Sequence, residues 1–161
     1  MRKLLSLVAL SLVLGVATAQ AQNNASITAT ATVQQPITVT GVNNLDFQAV
    51  FPGVNKTVAV GDATAGLFTV AGQASAPVSM TFVLPANLTF GANNLPIGTW
   101  TANHNTSAAP TGTSFTPSAA ATLANLSATG NLYVYLGASV APAINQVAGV
   151  YTGTVSLTVV Y

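Results

Sequence analysis

Tyr151-Thr152-Gly153-Thr154-Val155-Ser156-Leu157-Thr158-Val159-Val160-Tyr161 alternates its side chains, with Tyr151, Gly153, Val155, Leu157, Val159 and Tyr161 on one face and Thr152, Thr154, Ser156 and Thr158 on the other. Successive side chains of an extended chain point to opposite faces of a sheet, so this pattern predicts a β-strand with one face turned to a core. Tyr151, Val155, Leu157, Val159 and Tyr161 are its expected core residues. Chain ends otherwise fray, so an aromatic at the last position points to an end held inside the sheet.

The same alternation recurs outward from this segment, in residues 132–136, 78–84, 67–71, 57–60, 45–50 and 37–40. Pro52-Gly53, Gly61-Asp62 and Ala86-Asn87 punctuate these runs as turns. Several short alternating runs without a helical period predict an all-β sandwich. Residues 91–129 are richer in Asn, Ala, Ser, Thr, Pro and Gly, with scattered anchors at Leu95, Ile97, Trp100, Phe115, Leu123 and Leu126. They are expected to form a long, partly ordered excursion with one or two irregular strands. Ahead of the sandwich, Ala25, Ile27, Ala29, Ala31 and Val33 alternate with Ser26, Thr28, Thr30 and Thr32 until Pro36 stops the run.

Met1-Arg2-Lys3 is followed by an apolar run over residues 4–16 and by the small residues Ala17-Thr18-Ala19-Gln20-Ala21. A basic start, a short apolar core and an A-x-A site define a secretory signal peptide. The expected organisation is a signal peptide at 1–21, an N-terminal extension at 22–35 and a single β-sandwich domain at 36–161. No other stretch is long and apolar enough to span a membrane as a helix, so no integral insertion of that kind is expected. Once the signal is removed, Lys56, Asp46 and Asp62 are the only charged side chains, against a usual share of about a quarter of all residues. Nucleic acid is a poor partner for a chain without a basic stripe. Near-zero net charge favours association, as in a subunit meant to be packed. With no cysteine, stability must come from core burial and partner chains.

Parts for catalysis are missing. Two carboxylate side chains, one histidine and no cysteine supply neither a convincing acid–base pair nor a metal-ligand set. His104 stands in Asn103-His104-Asn105 with no G-x-S-x-G nucleophile to serve, and is expected to be a solvated loop residue. Asp46 is expected to satisfy backbone groups at a turn or strand start. No catalytic residue, cofactor or metal site is predicted. Trp100, Tyr133 and Tyr135 either form an aromatic platform for sugars or pack in the core and sheet faces.

Asn43-Asn44-Leu45-Asp46-Phe47, Gly130-Asn131-Leu132-Tyr133-Val134-Tyr135-Leu136-Gly137-Ala138 and the closing Ala148-Gly149-Val150-Tyr151-Thr152-Gly153 with its Thr/Val strand resemble the exported bacterial spore-coat-U-like and chaperone–usher pilin group, most closely a cysteine-free relative. The resemblance covers both ends of the chain and weakens in the middle. Gln48 stands where the pattern usually has Gly after Leu-Asp-Phe, and the cysteines of the spore-coat-U-like pilins are absent. It implies an immunoglobulin-like sandwich that is incomplete as a monomer. A periplasmic chaperone would protect it, an outer-membrane usher would assemble it, and the N-terminal strand of a neighbour would complete it in a filament at the cell surface.

That mechanism has a direct physical reading. An extended segment adds itself to an open sheet edge through main-chain hydrogen bonds and fills pockets with alternate side chains. Ala25, Ile27, Ala29, Ala31 and Val33 are the expected donor residues. Head-to-tail donation is a heterologous contact, which propagates into an open filament. Three alternatives stand beside it: residues 25–33 pair within their own chain as a first strand, the protein is a monomeric secreted sandwich binding a glycan or host surface, or it is a small outer-membrane barrel.

Overall fold

The structure, a computed structural model, describes residues 23–161, so the expected signal segment lies outside the described residues. The chain divides into two units, Met1–Thr32 and Val33–Tyr161. In the first unit, residues 23–32 are exposed and form no strand. The second unit holds β1 (Thr38–Asn43), β2 (Lys56–Val58), β3 (Gly66–Ala71), β4 (Pro77–Val83), β5 (Asn87–Phe90), β6 (Asn93–Asn105), β7 (Thr113–Phe115), β8 (Thr122–Asn125), β9 (Asn131–Val140) and β10 (Ser156–Val160).

Alternation builds the core. In β9, Leu132, Val134 and Leu136 are buried while Tyr133 and Tyr135 turn to the other face. In β4, Val78, Met80 and Phe82 are buried while Ser79 and Thr81 turn away. These two rows face each other between two antiparallel sheets and meet Val70, Ala102, Ala124, Leu126 and Val159 in one cluster. Fully burying a large apolar side chain contributes about 1.5–3 kcal/mol, which is how a chain without disulfides holds together. The larger sheet runs β1-β3-β9-β6-β5, with β2 continuing the β3 side of β9 and β7 continuing the β5 side of β6. The smaller sheet is β10-β4-β8. The expected all-β, sandwich-like fold is the fold of the chain.

A second cluster, with Phe47, Val58, Leu95, Ile97, Ala138 and Val140, fills one end of the sandwich, and Trp100 packs against both clusters. Trp100 lies in a bulge of β6, where Gly98 pairs with Ser139 and Thr101 already with Gly137. One extra residue on β6 therefore shifts its inward face from Leu95 and Ile97 to Ala102.

Three expectations are corrected. Residues 91–129 are no loose excursion: they hold β6, the longest strand, as well as β7 and β8. Residues 45–50 alternate like a strand but turn instead, because the Asp46 carboxylate accepts a hydrogen bond from Gln48 N–H at 2.7 Å. His104 is not a solvated loop residue; it sits in β6, half-buried, with its ring 5.7 Å from that of Phe115.

The closing strand is also shorter than its alternation. Ser156 pairs with Val83, the last residue of β4, so β4 gives residues 151–155 no neighbour, and Thr152 makes an isolated bridge to Thr89 instead.

Candidate functional site

β1 forms one edge of the larger sheet and β10 one edge of the smaller, and each carries a ladder on one side only. The two run in opposite directions along a gap. At one end Tyr161, after β10, meets Gln35, ahead of β1. At the other end Gly41 of β1 and Val155, just before β10, line a cleft of about 770 Å³. Its floor is apolar: Phe68 of β3, Leu88 of β5, Leu95, Ile97 and Trp100 of β6, and Leu136 of β9.

The first wall is the turn that follows β1. Phe47 is buried and anchors it, Asp46 N–H donates to the Thr64 carbonyl at 3.0 Å, and Gln48 takes a positive φ of 55°. Lys56 Nζ donates to the Ala49 carbonyl at 3.2 Å. Asp62 caps the neighbouring turn, accepting from Ala59 N–H at 2.8 Å. All three charged side chains expected to remain in the exported chain thus hold backbone, and Asp46 has the turn role read from the sequence.

The second wall is residues 146–155, fastened to the β5–β6 hairpin. Thr152 and Thr89 exchange backbone hydrogen bonds at 2.8 and 3.0 Å. The Tyr151 ring packs 5.7 Å from that of Phe90, and its hydroxyl donates to the Val147 carbonyl at 2.8 Å. Gln146 Nε2 donates to that hydroxyl at 2.7 Å and to the Asn94 carbonyl at 3.1 Å. The glycines of Ala148-Gly149-Val150-Tyr151-Thr152-Gly153 let this wall lie flat. A Cβ on Gly149 would enter the Phe90 ring, and one on Gly153 would come within 2.7 Å of Leu88 Cδ2.

At the far end the gap is closed. The Tyr161 hydroxyl donates to the Gln35 carbonyl and accepts from Gln73 N–H at 2.7 Å, while Gln35 N–H donates to Gln73 Oε1 at 3.3 Å.

Of the expected core residues of the closing strand, Tyr151 and Val155 line the cleft, Leu157 and Val159 pack in the core behind it, and Tyr161 stands at the closed end. The expected donor residues Ala25, Ile27, Ala29 and Ala31, and Val33 at the start of the second unit, are all exposed, Ile27 by 95% and Val33 by 94%. Trp100 shares no face with Tyr133 and Tyr135, which lie opposite Asn105 and Asn103 on the outer side of β9, so the three form no common platform. Phe68 and Leu88 belong to the cleft without having been singled out in the sequence, where the alternation around Phe68 carries the only signal for them; Gln146 lies in Ala143-Ile144-Asn145-Gln146-Val147-Ala148-Gly149, a run that also resembles the cysteine-free relative.

Chemistry that needs ionisable groups finds little here. Asp46 is the carboxylate of the cleft and is already engaged by Gln48. His104 lies outside the cleft, and burial lowers its pKa from 6.5. No group of three His, Asp or Glu that could hold a metal ion occurs among the described residues. What the arrangement offers is apolar shape beside an unpaired strand edge. No protein-family model matches the chain, and no curated protein matches it.

Proposed function

We propose that the protein is a structural subunit of a cell-surface filament, an immunoglobulin-like, pilin-like sandwich short of one strand, whose gap between β1 and β10 receives residues 25–33 of a second copy. The observation that carries this reading is the pairing of a cleft of about 770 Å³ with an apolar floor, running on from the unladdered edge of β10, with an alternating segment of the same chain that lies in no sheet. Extended, the segment from Ile27 to Val33 spans about 20 Å, and it presents Ile27, Ala29, Ala31 and Val33 on one face.

The export signal and the shared motifs extend the reading to passage through the periplasm, a chaperone and an outer-membrane usher as partners, and a place at the cell surface. Binding is then non-catalytic and needs no cofactor. The two sheets keep free edges, which argues against a membrane-spanning barrel, where every edge is closed. Trp100 and Tyr151 in the cleft favour a second reading, a monomeric sandwich that binds a glycan.

Size-exclusion chromatography and negative-stain imaging of the chain from Gln22, with and without residues 22–33, test the proposal. Filaments or oligomers that vanish on truncation are expected. Adding a synthetic peptide of residues 22–34 to the truncated chain should shift the emission of Trp100, the only tryptophan, to the blue. A full-length chain that stays monomeric, with no response of Trp100 to the peptide, overturns the filament reading; a shift with a soluble oligosaccharide instead favours the glycan reading.

A further inference from the structure

The backbone of Gln35, where the extension joins the sandwich, is held at both its polar groups: N–H by Gln73 Oε1 and carbonyl by the Tyr161 hydroxyl. The same hydroxyl accepts from Gln73 N–H, so one phenol ties the chain ahead of β1 to the chain after β3. Gly72 makes room for this. A Cβ there would stand 2.7 Å from Tyr161 Oη and 3.0 Å from Leu126 Cδ1. Pro36 adds a covalent restraint, since the residue before a proline is steered away from the helical region.

A segment that fills the gap between β1 and β10 has two sources, its own chain or a second copy. To enter its own gap, residues 27–33 must lie beside β1, and the chain must reverse within residues 34–37. A reversal of that length is most often a type I′ or II′ turn, whose first central residue takes a positive φ. Gln35 is denied to such a turn, because both its backbone groups are occupied and Pro36 disfavours that angle. We propose that Tyr161, through its clasp on Gln35 and Gln73, is a positioning residue that keeps the N-terminal extension out of its own groove and so leaves it for a second copy. The inference rests on the filament reading and deepens it: the clasp sets donation between chains against self-insertion.

Tyr161→Phe in the full chain from Gln22 keeps the ring and removes the hydroxyl. At equal concentration and time, the ratio of oligomer to monomer should fall about fivefold, the shift given by losing the one of its two hydrogen bonds that holds the Gln35 carbonyl. The added monomer should show Trp100 emission as blue as the oligomer's, because its own groove is filled; deleting residues 22–33 from the variant should return the emission of an open groove. A purely structural role for the hydroxyl lowers the melting temperature without producing a blue-shifted monomer. Gln73→Ala removes only the bond to Gln35 N–H and carries the same expectation in smaller measure, which covers the case of a Tyr161→Phe chain that does not fold. Variants that partition as wild type, or whose monomer keeps open-groove emission, overturn the clasp alone when wild type forms oligomers dependent on residues 22–33. A wild-type chain without such oligomers overturns the filament reading and the clasp together.

Discussion

Gln48 carries a conformational cost that its sequence neighbours explain. Its φ of 55° lies in the left-handed region, where an L side chain costs about 1 kcal/mol more than glycine. The turn imposes that angle, because the Asp46 carboxylate holds Gln48 N–H while Phe47 is locked in the core. The Gln48 side chain is exposed, so little is lost on removing it. Gln48→Gly should therefore stabilise the fold by up to about 0.6 kcal/mol after the greater freedom of the unfolded glycine chain is counted, a rise of about one to two degrees in melting temperature by circular dichroism. A fall in melting temperature would mean that the glutamine side chain does unseen work in the wall of the cleft. The position was legible in the sequence as a departure from Leu-Asp-Phe-Gly. Its reason was not, since the alternation of Leu45 and Phe47 reads as a strand and conceals the turn.

The glycines of the second wall matter at the scale of elements, because they let residues 146–155 lie against β5. Gly149→Ala drives a methyl group into the Phe90 ring, and overpacking of this kind costs about 1–3 kcal/mol. Gly61 has nothing within 4 Å of its Cβ position, and Gly61→Ala should leave the melting temperature unchanged or slightly raised. Equal effects at the two sites would remove the packing role given to the closing motif. The donor assignment makes a matching demand on the extension. Ile27→Asp and Ala29→Asp should abolish oligomers on size exclusion by placing an unpaired charge in an apolar gap, while the melting temperature of the monomer stays put because both residues are exposed; normal oligomers from both would defeat the assignment. Where strands were legible, one face stayed in phase: residues 78–84, 132–136 and the second half of 151–161 became β4, part of β9 and β10. β6 was hidden because its bulge breaks the phase, with Leu95 and Ile97 inward before it and Ala102 after it, and because Pro96 and Gly98 read as turn residues. The cleft itself was not legible, since its floor is gathered from four strands far apart in sequence.

At the scale of the whole molecule, stability is nearly free of electrostatics, and that fixes how it must respond to its surroundings. Each of the three charged side chains from Gln22 onward serves a backbone group, and no ion pair that salt would screen occurs among the described residues. The remaining handle is His104, whose pKa burial lowers from 6.5. The unfolded chain then binds a proton more readily than the folded one, so stability is fully present above pH 6.5 and declines as the pH falls from there toward the lowered value, below which it levels off. A shallow loss between about pH 7 and 5 and a flat profile from about 7 to 9 are expected, with little change on adding salt. His104→Phe keeps a ring beside Phe115 and cannot be protonated, so melting curves of this variant at pH 8, 6.5 and 5 should coincide where those of wild type separate. A slope that survives the substitution would show that His104 is not its source. A filament built on such subunits should keep the same indifference to salt, because the cleft beside β1 and β10 offers a donor strand backbone and an apolar floor and, apart from the engaged Asp46, no charged side chain.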